Sequence, residues 1–175
     1  LGAGWRVDAE ALCHEASGVR FAYVPGGWLR MGFSLDDIYE ACSARGRRVD
    51  AESDWLGDEV ARSRPAHIRK VTPFLTAIER QGPSAALAEF RAISEAELEW
   101  VYRRGGADRW AGAGSRPFRG RDRIRAMSEP DRPFGIDLGH DEHEHCADSW
   151  HPNYVGAPGD SNPWGDRGEV YRNLH

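Results

Sequence analysis

The sequence predicts a small α+β domain: a small antiparallel sheet, two or three short helices and much irregular chain. Three observations carry this. Two alternating runs, 19–24 and 28–33, flank a Pro25-Gly26-Gly27 turn. Ser94 and Glu97 form a capping box at the start of the clearest helical stretch. Beyond Gly105 the chain is rich in Gly, Pro, Arg and Asp, and its periodicity fades.

The elements follow in order. Asp8 can cap a short helix over 9–17 that Gly18 would end. Val19, Phe21 and Tyr23 alternate with Arg20 and Ala22, which reads as a strand, and residues 28–33 read as its returning partner in a hairpin. Ser34 caps a second helix over 35–44, with Leu35, Ile38 and Cys42 on one face and Gly46 as its stop. Residues 45–65 read as loop and 68–75 as another strand. The capping box predicts a helix over 94–103, ended by Gly105.

The 175 residues and their 40% hydrophobic content suit one domain, 1–175, able to bury a core unaided. Seven tryptophans argue against wholesale disorder. No run approaches the ~20 apolar residues of a membrane span, so no membrane partner is expected. Leu1 to Trp5 lack the basic start and apolar core of a secretory leader; the sequence opens on Leu rather than Met, so a leader ahead of it stays open. Three scattered cysteines, Cys13, Cys42 and Cys146, form no CxxC pair and favour a reducing, cytoplasmic setting. A net charge of −5 argues against nucleic acid as a partner. Charge is nonetheless uneven: 101–132 hold nine arginines against four acids, and 133–175 hold eight acids against two arginines. The two blocks are either solvated faces, which contribute little, or an anion-binding patch around Arg116, Arg119 and Arg121.

Several segments resemble one family, in its order. Phe21 to Gly32 (FAYVPGGWLRMG) looks like an opening hairpin. Arg64 to His67 (RPAH) and Val71 to Phe74 (VTPF) look like the next strand. Ser94 to Trp100 (SEAELEW) and Arg104 to Gly106 (RGG) resemble a helix and its exit. Phe134 to Leu138 (FGIDL) with Glu144 to Asp148 (EHCAD) match more weakly, and Val170 to Arg172 (VYR) would begin a later strand. The family is that of the formylglycine-generating enzymes, or sulfatase-modifying factors. The resemblance implies an irregular C-type-lectin-like fold. It also implies oxidation of a substrate cysteine by a copper-binding cysteine pair near the C-terminus. Here the match departs. Cys13, Cys42 and Cys146 do not fall on that pair, Asn173 and Leu174 stand where two glycines are expected, and the stretch between Phe74 and Ser94 is short. The expectation is therefore a truncated, pseudoenzyme-like version of the scaffold.

The sharpest local chemistry is His140, His143 and His145, with His151 behind them. On a strand, Asp141, His143 and His145 would share one face, a plausible set for a transition metal. Each i, i+2 step spans about 6.8 Å, however, so convergence on one ion needs a bulge or a distant ligand. The competing reading is rings that pack with polar tips exposed. Asp137, Asp141 and Glu144 lie where the family can hold a structural calcium, or they are strand-end solvation. Cys146 is either a nucleophile or a buried thiol. Trp100, Trp110, Trp150 and Trp164 either fill the core or line a binding surface. The leading expectation is a non-catalytic module, of interaction or immunity type, with a protein or peptide partner. The alternatives are a metal-dependent oxidoreductase using the His cluster and an accessory domain of a longer enzyme.

Overall fold

The computed structural model describes residues 4–9, 11–43, 62–79, 88–108, 132–137 and 146–165. Within them lie six strands: β1 Trp5–Asp8, β2 Ala11–His14, β3 Arg20–Val24, β4 Gly27–Met31, β5 His67–Val71 and β6 Phe74–Ala77. Two helices, α1 Leu35–Ser43 and α2 Glu95–Tyr102, and a 3-10 turn at Pro133–Gly135 complete the regular structure. The class is α+β with small antiparallel sheets, as the sequence predicts. No helix among the described residues is long and apolar enough to cross a membrane.

The Pro-Gly-Gly turn does not make a hairpin. β3 pairs with β6, and β4 pairs with β5. One register runs through both pairings: Phe21 faces Ala77, Val24 faces Phe74, Gly27 faces Val71 and Met31 faces His67. Residues 20–31 and 67–77 thus form one long antiparallel ribbon, bent where Pro25 and Pro73 fall opposite each other. Neither proline has an N–H, so the ladder breaks there and the ribbon divides between a four-stranded sheet, β1-β2-β3-β6, and a two-stranded one. Gly26 and Gly27 show no positive φ, so the signature of a two-residue reversal is missing. Gly26 is needed for close approach: a Cβ there would sit 2.4 Å from the Val71 carbonyl oxygen. The predicted strand over 68–75 is correspondingly two strands, split at Thr72 and Pro73.

The helix expected over 9–17 is a second correction. β1 and β2 form a two-residue hairpin with Trp5 opposite His14 and Asp8 opposite Ala11. Ala9 takes a positive φ of 53° at its turn. Ring packing explains the outcome. Trp5, His14, Phe21 and Phe90 form one ring cluster, with contacting centroids 5.1–6.0 Å apart, and a helix would pull Trp5 and His14 out of it. His14 is also held through Nδ1 to Ser17 Oγ (2.9 Å) and through Nε2 to Glu89 (3.1 Å).

The two remaining helices stand within about a residue of expectation. At α1, Asp37 N donates to Ser34 Oγ (3.2 Å) and Ser34 N donates to Asp37 Oδ2 (2.7 Å), a capping box with aspartate in glutamate's place. Leu35, expected on its apolar face, is exposed. α2 is the buried centre of the domain, with every residue from Glu95 to Val101 buried although three are glutamates. Each glutamate is satisfied. Tyr154 donates to Glu95 (2.7 Å), Arg91 grips Glu97 with both terminal nitrogens (2.8 and 2.5 Å), and Arg103 pairs with Glu99. Buried Asp148 accepts from Glu95 N (2.6 Å) and Trp164 N (2.9 Å), tying the start of α2 to the C-terminal loops. Trp100 donates through Nε1 to the Pro25 carbonyl (2.7 Å), and its ring lies against Gly27, Gly105 and Gly106. The Pro-Gly-Gly and Arg-Gly-Gly segments are therefore the two walls of one tryptophan slot.

Candidate functional site

A solvent-facing cleft of about 540 Å³ lies between β4 with the adjoining start of α1 and the distant exit of α2. That volume falls within the ~300–1,000 Å³ of small-ligand sites. β4 supplies Trp28, Leu29 and Arg30; the start of α1 supplies Ser34, Asp36 and Asp37; the exit of α2 supplies Arg103, Gly106 and Asp108. Alternation along β4 explains the first set. Leu29 and Met31 point into the core, so Trp28 and Arg30 point out, leaving the indole 68% exposed. The capping box turns Asp37 inward, where Oδ2 accepts from Ser34 Oγ (2.7 Å) and Arg30 Nη2 (2.6 Å). The exit of α2 needs three successive left-handed residues, Arg104, Gly105 and Gly106. They bring Asp108 N back to the Arg103 carbonyl (3.1 Å).

The floor of the cleft is a fixed charge relay into the core. Arg103 is buried; Nη1 donates to the Arg30 carbonyl (2.8 Å) and Nη2 pairs with Glu99. Burial pushes the Glu99 carboxyl up to about 7; Arg103 opposes that rise and neighbouring Glu95 adds to it. The folded protein thus holds this proton more tightly than the unfolded chain. Stability from this group is full below pH ~4.5 and is lost as pH rises through about 7, a change of roughly 3 kcal/mol. Urea midpoints at pH 5 and pH 8.5 should show this loss, and Glu99→Gln should flatten it. An unchanged slope in the variant would assign the loss to other groups.

Two buried atoms of cleft residues have no hydrogen-bond partner among the described residues: Arg103 Nε, a donor, and Asp108 Oδ2, an acceptor that is ion-paired with Arg104 Nε at 3.4 Å. Lys70, cross-strand from Trp28, holds its ammonium 5.9 Å from the indole centroid. Asp36 is exposed, with no ion-pair partner among the described residues.

The sites read from the sequence stand elsewhere. His140, Asp141, His143, Glu144 and His145 lie outside the described residues, as do Trp110, Arg116, Arg119 and Arg121. Asp137 faces Arg132 at 3.5 Å. His151 stacks on Trp164 with centroids 3.6 Å apart and planes 11° apart, so Trp164 packs against the core and His151. Trp150 is exposed. Cys146 packs into the core, the buried-thiol alternative. The cleft residues were missed because no motif joins them. The available signal was a tryptophan on the outward phase of an alternating strand.

No family model matches the chain, and no curated protein matches it. Among solved structures it is similar to PvdO from Pseudomonas aeruginosa, at 18% identity, over 93% of this chain and 83% of that one. With a TM-score of 0.53, that likeness is one of fold.

Proposed function

We propose that this chain is a non-catalytic protein- or peptide-binding module on a shortened formylglycine-generating-enzyme-like scaffold of C-type-lectin type, with the Trp28 cleft as its recognition surface. The ordered sequence motifs support the scaffold, as does the fold likeness to PvdO, itself a formylglycine-generating-enzyme-like protein. One observation carries the binding role: a highly exposed indole stands on a strand beside a cleft in which Arg30 is paired with Asp37 and Arg103 with Glu99. Large aromatics on a fixed support give contact area at little entropic cost. Locked ion pairs recognise a partner without reorganising.

The test has two arms. Incubated with copper and oxygen, the protein should leave the thiol of a cysteine-containing sulfatase peptide intact by mass spectrometry. On an array of random hexapeptides, Trp28→Ala should reduce binding at least tenfold. Loss of the thiol sulfur would make the chain an enzyme; binding indifferent to Trp28 would move recognition elsewhere.

A further inference from the structure

We infer that β1 is a self-association edge: two copies of this chain pair antiparallel through it, Val7 against the partner's Val7, and join their four-stranded sheets into one continuous sheet. The inference goes beyond the recognition reading above and uses no residue of the Trp28 cleft.

The backbone shows which groups are free for this. Glu15 N donates to the Gly4 carbonyl (2.8 Å) and His14 N to the Val19 carbonyl (2.9 Å). With Trp5 opposite His14 and Asp8 opposite Ala11, it is Gly4, Arg6 and Asp8 that turn their backbone groups toward β2. Trp5 and Val7 turn theirs the other way, and among the described residues no strand pairs with β1 on that side. β5 differs, because the 159–162 loop covers its outer edge and Lys70 N donates to the Gly159 carbonyl. β1 holds no proline and pairs without a bulge, so the usual devices that blunt an edge are missing. Val7, in the open half of its ladder, is 64% exposed.

The side chains of β1 name the occupant. Self-pairing must set outward-turned residues opposite outward-turned residues, which leaves registers centred on Arg6, Val7 or Asp8. Centring on Arg6 opposes two arginines, and centring on Asp8 opposes two aspartates; like charges directly opposite destabilise a sheet. Centring on Val7 places Arg6 opposite the partner's Asp8, and Asp8 opposite the partner's Arg6. Both pairs then fall at the non-hydrogen-bonded positions, where side chains approach most closely. Arg6 and Asp8 are exposed, and Arg6 Nη2 has only the weak acceptor Cys13 Sγ at 3.4 Å as a printed hydrogen-bond partner in its own chain, so a carboxylate is the stronger partner. On the other face, Val7 meets the partner's Val7. The apolar row already formed by Val7, Leu12 and Phe21 then continues across the junction.

Sedimentation velocity of the full chain from about 10 μM to about 1 mM, the weak range of specific association, should show monomer–dimer exchange. Arg6→Asp and Asp8→Arg should each weaken the dimer at least tenfold. An equimolar mixture of the two should recover a heterodimer within about threefold of the parent, because every charge pair across the junction is again unlike. Val7→Pro, which removes an N–H that β2 does not use, should be monomeric. All three positions are exposed, and circular dichroism checks that the variants remain folded. A parent that stays monomeric up to about 1 mM overturns the inference. So does a dimer that survives Val7→Pro and both charge reversals, or a mixture of the two charge variants that stays monomeric.

Discussion

Trp100→Ala will lower the unfolding free energy by about 3–5 kcal/mol, enough to leave a domain of ordinary stability marginal at 37 °C. The indole is 5% exposed, fills the slot walled by Gly27, Gly105 and Gly106, and satisfies the Pro25 carbonyl. Its removal opens a large cavity and leaves that carbonyl without its donor, two costs that add. Gly27→Ala is destabilising for the opposite reason, because a Cβ there would lie 2.4 Å from Trp100 Cη2. The pair should be strongly non-additive, since the methyl that clashes in the parent partly fills the cavity in Trp100→Ala. Urea denaturation of the two single variants and the double variant measures the coupling. Additivity within about 0.5 kcal/mol would mean that the slot relaxes freely.

Arg69→Ala should cost a comparable amount, about 3–5 kcal/mol. Arg69 is fully buried, donating through Nε to the Asp160 carbonyl (2.7 Å) and through Nη2 to the Asn162 carbonyl (3.0 Å), with the Met31 sulfur 3.9 Å from Nη1. It pins the 159–162 loop along β5, where Lys70 N donates to Gly159 O and Thr72 N to Ser161 Oγ. Losing it should raise amide exchange at Lys70 and Thr72 by more than the global destabilisation accounts for. Arg69 also helps hold the Glu99 carboxyl down, so its loss moves the Glu99 transition to higher pH. Unchanged exchange at Lys70 would show that the loop is held without the guanidinium.

Short-range rules read the helices well. Ser94 with Glu97, and Ser34 with Asp37, are local capping signals, and α2 and α1 begin one residue after each serine. The same rules failed at residues 9–17. Asp8 and Gly18 imitate a cap and a stop, whereas a ring cluster containing Phe90, over seventy residues away, decides the backbone. They failed again at Pro25 to Gly27, because proline and glycine mark a break in pairing without stating whether the chain reverses or bends. The partner strands that settle it lie at 67–77. The α+β class was legible because its capping and alternation signals are contiguous. The cleft was not, since Trp28, Asp36 and Arg103 meet only through the packing of β4 against α2 and the turn into α1.

The shared register of residues 20–31 and 67–77 sets where this protein can change length. Side chains alternate along both arms, so adding one residue to either arm turns every inward residue beyond it outward. An insertion after Arg20 would expel Ala22 and Val24 from the core face of one sheet and, past the bend, Leu29 and Met31 from the other. Both sheets would fail together. Extra residues between Ser43 and Arg62 leave both arms of the ribbon and the capped start of α1 in register. Descendants of this sequence should therefore differ in size between the arms of the ribbon and hardly at all within them, and a peptide tag or sensor domain spliced into the chain belongs in that connection.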